Sequence, residues 1–189
     1  MNELDTLIIY FYGTITMSIF NRRGVICGAM LAICGPGVVQ AEVVTSSDTH
    51  YVLKHEGKST LEPQALWRKL IKPATWWHPD HTYSGDATNL SLAAIAGGEW
   101  REDWAGGSVL HGKVVLALRH KTLRLEAPFG PLQELGAYVI WTITLTPNDG
   151  GSNVVFEERA VAPMGSALDS LAPVVDGVKA EAMSRLVNE

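Results

Sequence analysis

Two hydrophobic periods meet in this sequence, and their order leaves few folds open. From about residue 83 to 161, apolar and polar side chains alternate at a period of two, interrupted by turn residues at Gly97-Gly98, Gly106-Gly107, Phe129-Gly130-Pro131 and Asp149-Gly150-Gly151. Alternation with Gly-rich breaks predicts a meander of about six antiparallel strands, the clearest over 99–104, 109–119, 122–127, 137–146 and 153–161. The period then becomes helical. Leu168, Leu171, Val175, Val178, Ala182 and Leu186 form one apolar stripe over about 167–187, with a kink or a delayed start expected at Pro173. Ahead of the meander, 43–59 contains a candidate strand in which Tyr51, Leu53 and His55 alternate with Val52, Lys54 and Glu56. Pro63 opens a short helix bearing Leu66, Trp67, Leu70 and Ile71, which stops at Lys72-Pro73. A sheet with one apolar face and one long helix to cover it must curve around that helix. The expected fold is α+β, a helix grip: a curved antiparallel sheet wrapped around a long C-terminal helix. The space under the helix is the first place to look for a ligand.

The most apolar stretch, 24–39, follows Asn21-Arg22-Arg23 and ends in Val39-Gln40-Ala41, the order of a secretory signal with a small-x-small cleavage site. At about 16 residues, broken by Gly35-Pro36-Gly37, it falls short of the roughly 20 needed to span a bilayer. Residues 1–41 are therefore expected to be an N-terminal extension and signal peptide, cleaved after Ala41, with translation starting at Met17. Residues 42–189 form a single domain in the periplasm or outside the cell, with no stable membrane span. Leu31-Ala32-Ile33-Cys34 has a large residue where a lipoprotein site needs a small one, and the residues after Arg22-Arg23 fit a twin-arginine signal poorly. Both cysteines, Cys27 and Cys34, lie in the leader, which leaves the body without disulfides, thiolate nucleophiles or cysteine metal ligands. The net charge of −5, with the 15 Lys and Arg nowhere clustered beyond a pair, argues against nucleic acid as a partner. Nothing in the sequence fixes an oligomeric state.

Trp100, Glu102 and Trp104 share one face of their strand, so a carboxylate lies between two indoles, and burial there would raise its pKa. Its neighbour depends on the turn. A two-residue turn at Gly106-Gly107 would set Glu102 opposite His111; a three-residue loop at Ala105-Gly106-Gly107 would set it opposite Leu110 and send His111 to the other face with Arg101. In the first register Glu102 and His111 could serve a carbonyl ligand as acid and base, or simply satisfy each other. Trp76, Trp77, Tyr83, Phe129 and Trp141, with Trp100 and Trp104, are candidates to line a cavity for an apolar or amphipathic ligand, although Trp67 and Trp141 also suit a plain core. His78 and His81 flank Pro79-Asp80, but Pro79 argues against helical spacing and no third histidine is near in sequence. That segment is expected to be a loop capped by its own polar side chains, with no metal and no cofactor. Arg124, between Leu123 and Leu125, should face solvent. The sequence has no Ser-His-Asp order, phosphate loop or dinucleotide fingerprint.

Several segments together resemble the START and polyketide-cyclase-like superfamily, often called SRPBCC, over about 52–186. They are Leu66-Trp67, Trp76-Trp77, His81-Thr82-Tyr83-Ser84-Gly85, Ala96-Gly97-Gly98-Glu99-Trp100-Arg101-Glu102, Gly130-Pro131-Leu132-Gln133 and the terminal helix. The Gly-Gly before Trp-x-Glu is most similar to the branch of heat-shock protein 90 ATPase activator homologues, here in a secreted bacterial version. The resemblance implies a helix-grip fold with a cavity for a hydrophobic or amphipathic small molecule, and in some members cyclisation or dehydration of polyketides. It does not choose between binding and catalysis. An interaction module whose interior is filled by its own aromatic rings is the remaining alternative.

Overall fold

In the computed structural model the described residues are 40–188, the side chains of Gln40 and Ala41 excepted. Residues 1–39 of the leader, with its cysteines and the Met17 start, lie outside them, whereas Gln40 and Ala41, on the leader side of the expected cleavage, pair with Glu56 and His55. Eight strands form one antiparallel sheet: β1 (Gln40–Ser47), β2 (His50–Ser59), β3 (Leu90–Leu92), β4 (Glu99–Trp104), β5 (Gly107–Leu118), β6 (Thr122–Glu126), β7 (Tyr138–Asn148) and β8 (Gly151–Val161). Their spatial order is β1-β2-β8-β7-β6-β5-β4-β3. The helices are α1 (Pro63–Leu70), α2 (Pro131–Glu134) and α3 (Leu168–Val187). The α+β helix grip expected from the two periods is the fold observed. No helix among the described residues is long and apolar enough to cross a membrane.

The alternation in β2 has its expected consequence. Tyr51, Leu53, His55, Gly57 and Ser59 are buried, while their neighbours reach the other face. The segment 43–59, expected to hold one strand, holds two, folded at Asp48-Thr49. β1 was illegible because it is an edge strand with solvent on most of its length, so its side chains have no reason to alternate. Bulges interrupt the ladders at Val43/Thr45 in β1 and at two places in β5, one beside Trp100/Arg101 and one between Val114 and Leu116. Each inserts a residue that bends its strand, and β5 carries two of them.

Asp48 sets the start of α3. Its carboxylate accepts the Gly165 and Ala167 N–H groups at 2.7 and 3.0 Å, and its carbonyl accepts that of Leu168 at 3.0 Å. The helix therefore begins at Leu168 and runs through Pro173, because the β1–β2 turn caps it and the proline does not start it. At the other end Lys69 of α1 donates to the carbonyls of Arg185 and Asn188, a cation at a helix C-terminus. Between the ends α3 lies on β2 so closely that a Cβ at Gly57 would sit 2.8 Å from the Met183 sulfur. The larger core cluster packs Trp76, Trp77, Trp100, Trp141 and Phe156 with Met183 and Leu186; a smaller one gathers Tyr51, Leu53, Val139 and Leu168 near the helix start.

Candidate functional site

The β4–β5 hairpin turns at Ala105-Gly106, with Trp104 paired to Gly107, Asp103 to Ser108 and Glu102 to Val109. Neither register expected from the glycine pair occurs. The bulge decides the outcome: Arg101 pairs with Leu110 and Trp100 with Gly112, which leaves His111 as the extra residue. His111 is thereby turned onto the buried face, and its Nε2 lies 2.9 Å from Glu102 Oε2. The pair forms diagonally across a bulge. Gly112 makes this possible, because a Cβ there would meet the Glu126 carbonyl oxygen of β6 at 2.7 Å.

Glu102 is fully buried but well bonded. Oε2 also accepts the Tyr83 N–H at 3.0 Å, and Oε1 accepts the Ser84 N–H at 2.5 Å. Burial pushes the carboxyl up, but the hydrogen bonds from Ser84, Tyr83 and His111 outweigh it and hold Glu102 below its ordinary value. The rise expected from two flanking indoles is thus reversed by a loop that supplies N–H groups to the carboxylate. His111 is shifted down by burial, with Glu102 pulling against the shift. An ionised Glu102 beside a neutral imidazole fixes the tautomer: Nε2–H donates to the carboxylate, and Nδ1 carries the lone pair. That Nδ1 is buried without a hydrogen-bond partner among the described residues.

An aromatic cluster adjoins the dyad, with Phe129 at its centre. The Phe129 ring is stacked against both Trp77 (5.3 Å, 25°) and His111 (5.3 Å, 22°). It meets Trp100 edge-on at 5.2 Å and Trp141 at 5.9 Å. Trp76 packs behind, against Trp77 and Trp100. Like His111 Nδ1, the Trp100 and Trp141 Nε1 atoms are buried and unpartnered among the described residues. Phe129 itself is only half-buried, in the loop before α2, where Gly130 takes φ +55°, open to glycine far more readily than to other residues. Trp76, Trp77, Trp100, Phe129 and Trp141 thus come together in one cluster. Tyr83 stands at the rim, exposed, its ring 5.9 Å from His111. Trp104 packs over Gly106 and Gly107 of its own turn. Arg124 faces outward and donates to the Thr142 hydroxyl at 2.9 Å.

A second polar line was missed in the sequence. Lys179 of α3 is buried, its Nζ 2.8 Å from Glu158 Oε2 and 3.3 Å from the Trp141 ring centroid, with Phe129 at 4.7 Å. Glu158 Oε1 accepts the Tyr51 hydroxyl at 2.6 Å. Burial lowers the Lys179 pKa against the pull of Glu158. The signal was present: Glu158 occupies the inward register of Phe156 and Ala160, and Lys179 lies on the apolar stripe between Val175 and Ala182. A charge at an inward position needs a partner, and each here supplies the other's. Beside them His55 Nε2 lies 2.9 Å from Asp176 Oδ1.

The arrangement defines a helix-grip protein with a polar dyad and a buried lysine both placed against one aromatic ring. No protein-family model matches the chain, and no curated protein matches it in sequence. Solved structures share the fold. A putative uncharacterized protein from Rhizobium leguminosarum is 17% identical, over 79% of this chain and 97% of that one, with a TM-score of 0.53. A conserved protein of unknown function from Enterococcus faecalis is 14% identical, over 79% and 77%, at 0.52. The di-domain ARO/CYC protein StfQ from the steffimycin biosynthetic pathway is 11% identical, over 74% of this chain and 50% of that one, at 0.51. These likenesses show the fold that the chain shares with them, a helix grip.

Proposed function

We propose that this protein binds a flat, apolar or amphipathic small molecule carrying oxygen functions, in the place now filled by the Phe129 ring. One observation carries the reading: three rings whose buried nitrogens lack hydrogen-bond partners among the described residues, His111, Trp100 and Trp141, all touch Phe129. Buried polar groups are almost always satisfied, so a shared vacancy of partners around one half-buried loop ring suits a ligand that brings acceptors for the indoles and a donor for the imidazole. Stacking against Trp77 and His111 favours a planar ligand, and the Lys179 ammonium beside the ring favours an oxygen on it.

The test is tryptophan fluorescence titration with 1,8-dihydroxyanthraquinone, using palmitate as the lipid counterpart. Saturable quenching is expected, tightened in Phe129→Ala, which removes the competing ring. Binding of palmitate alone would move the ligand to the lipid class, and saturation by neither in either protein would overturn the reading. Native mass spectrometry of the protein from its own host tests it independently: a discrete adduct lost on denaturation is expected. The same spectrum tests the export expectation, for which the polypeptide would begin at Glu42.

A second reading is a polyketide cyclase or dehydratase-like enzyme. It is favoured by the carboxylate-fixed tautomer, which leaves His111 Nδ1 as a base, with Glu102 stabilising the imidazolium after proton uptake. The fold shared with StfQ keeps this chemistry in view. Conversion of a poly-β-ketone, abolished in Glu102→Gln and His111→Ala with binding retained, is the expected result under this reading; equal conversion by the variants would overturn it.

A further inference from the structure

His78, Pro79, Asp80 and His81 form a 3-10 turn in which Pro79 takes the first position, where a missing N–H costs nothing. Three residues per turn put positions i and i+3 on one side, so the proline that argued against shared spacing creates it. The two imidazole centroids are 5.5 Å apart. The third partner comes from far along the chain, on α3: Glu181 Oε1 is 3.6 Å from His78 Nε2, and Oε2 is 3.3 Å from His81 Nε2. We propose that His78, His81 and Glu181 form a binding site for one divalent transition-metal cation, zinc being the best fit.

One ligand atom from each residue lies within 4.8 Å of the others. Tetrahedral zinc with bonds of about 2.0–2.1 Å separates its ligand atoms by roughly 3.3 Å, so each imidazole already lies near that distance from one oxygen of Glu181, and a small approach of the three side chains closes the set. Two nitrogens and one carboxylate suit zinc and disfavour calcium or magnesium, which want oxygen. The turn is held from outside the site, by Trp77 Nε1 donating to the His81 carbonyl at 3.0 Å and the Thr82 hydroxyl to that of Pro79 at 2.6 Å. His78 and His81 side chains are 24% and 13% exposed and Glu181 is 40%, so a fourth position opens to solvent.

Three adjustments accompany binding, the first at His81, whose Nε2–H donates to Glu181 Oε2 at 3.3 Å and must give way to the Nδ1–H tautomer. His78 Nδ1 now accepts the Asp80 N–H at 3.1 Å, which puts the proton of a neutral ring on Nε2. The cation requires the other tautomer, with the Nδ1 proton turned toward Asp80 Oδ2, at present 3.7 Å away. Arg185 Nε, which donates to Glu181 Oε1 at 3.1 Å, yields that oxygen or shares it. The bound ion would tie the loop carrying Trp76 and Trp77 to the helix that carries Lys179.

The experiment is calorimetric titration of ZnCl2 into the untagged, chelator-treated full chain with Cys27 and Cys34 alkylated. One equivalent is expected to bind with Kd of about 10 μM or tighter, with MgCl2 giving no heat and zinc raising the unfolding temperature. His81→Asn and Glu181→Gln should each weaken zinc at least about tenfold at unchanged circular dichroism, and Asp80→Asn by about tenfold through the orientation of His78. Absence of zinc binding below 1 mM-scale concentrations, on the order of −4 kcal/mol or weaker, overturns the proposal. So does equal affinity in His81→Asn and Glu181→Gln, which would place the ion elsewhere.

Discussion

Lys179 and Glu158 illustrate how strongly one residue can depend on another inside a core. Removing one member of a buried pair leaves the other charge uncompensated, so Lys179→Met should destabilise the fold by about 3 to 5 kcal/mol in urea titration. The double variant Lys179→Met with Glu158→Gln should recover a large part of that loss, and no recovery would show that the two do not act as a pair. His111 and His55 give a second expectation. Both are held by burial below their ordinary value, so the unfolded chain takes up their protons more readily than the fold does. Stability is then fully present above the unfolded value of about 6.5 and falls as the pH drops through it toward the depressed folded values. The urea midpoint should decline between pH 7 and 5, and His111→Gln should flatten that decline.

The hairpin of β4 and β5 shows the influence of one element on the site. Gly112→Ala would press a methyl group into the Glu126 carbonyl, so it should cost about 1 to 3 kcal/mol, and the histidine NMR signal of His111 should shift as the bulge is displaced. This hairpin also marks the limit of what sequence patterning conveys. Alternation located β4 and β5 and brought Glu102 and His111 under suspicion together, because period and burial are local. The bulge is not local: it depends on how closely β6 packs against Gly112, which no spacing within β5 reveals. The same holds for Glu102, whose charge state is set by N–H groups of Tyr83 and Ser84, nineteen and eighteen residues away. Lys179 and Glu158 were legible in principle as charges on apolar faces, whereas Glu181 could join His78 and His81 only once the helix was placed.

The whole molecule is held by pairings between the ends of its described chain. β2 joins β8 over ten positions, from His50 with Val161 to Ser59 with Ser152, while Met183, Leu186 and Val187 complete the larger core from the last turns of α3. Removal of residues 181–189 should therefore prevent folding altogether, as read by loss of cooperative thermal unfolding; a truncated chain that still melts cooperatively would show that the helix end is dispensable. The topology also sets a timetable. A ribosome delivers the β1–β2 pair early, but β8 emerges about a hundred residues later and the covering helix later still, so the ordering entropy of that long loop must be met before the β2–β8 ladder rewards it. During synthesis the growing polypeptide can form local hairpins, but it cannot close its core until the last turns of α3 are made.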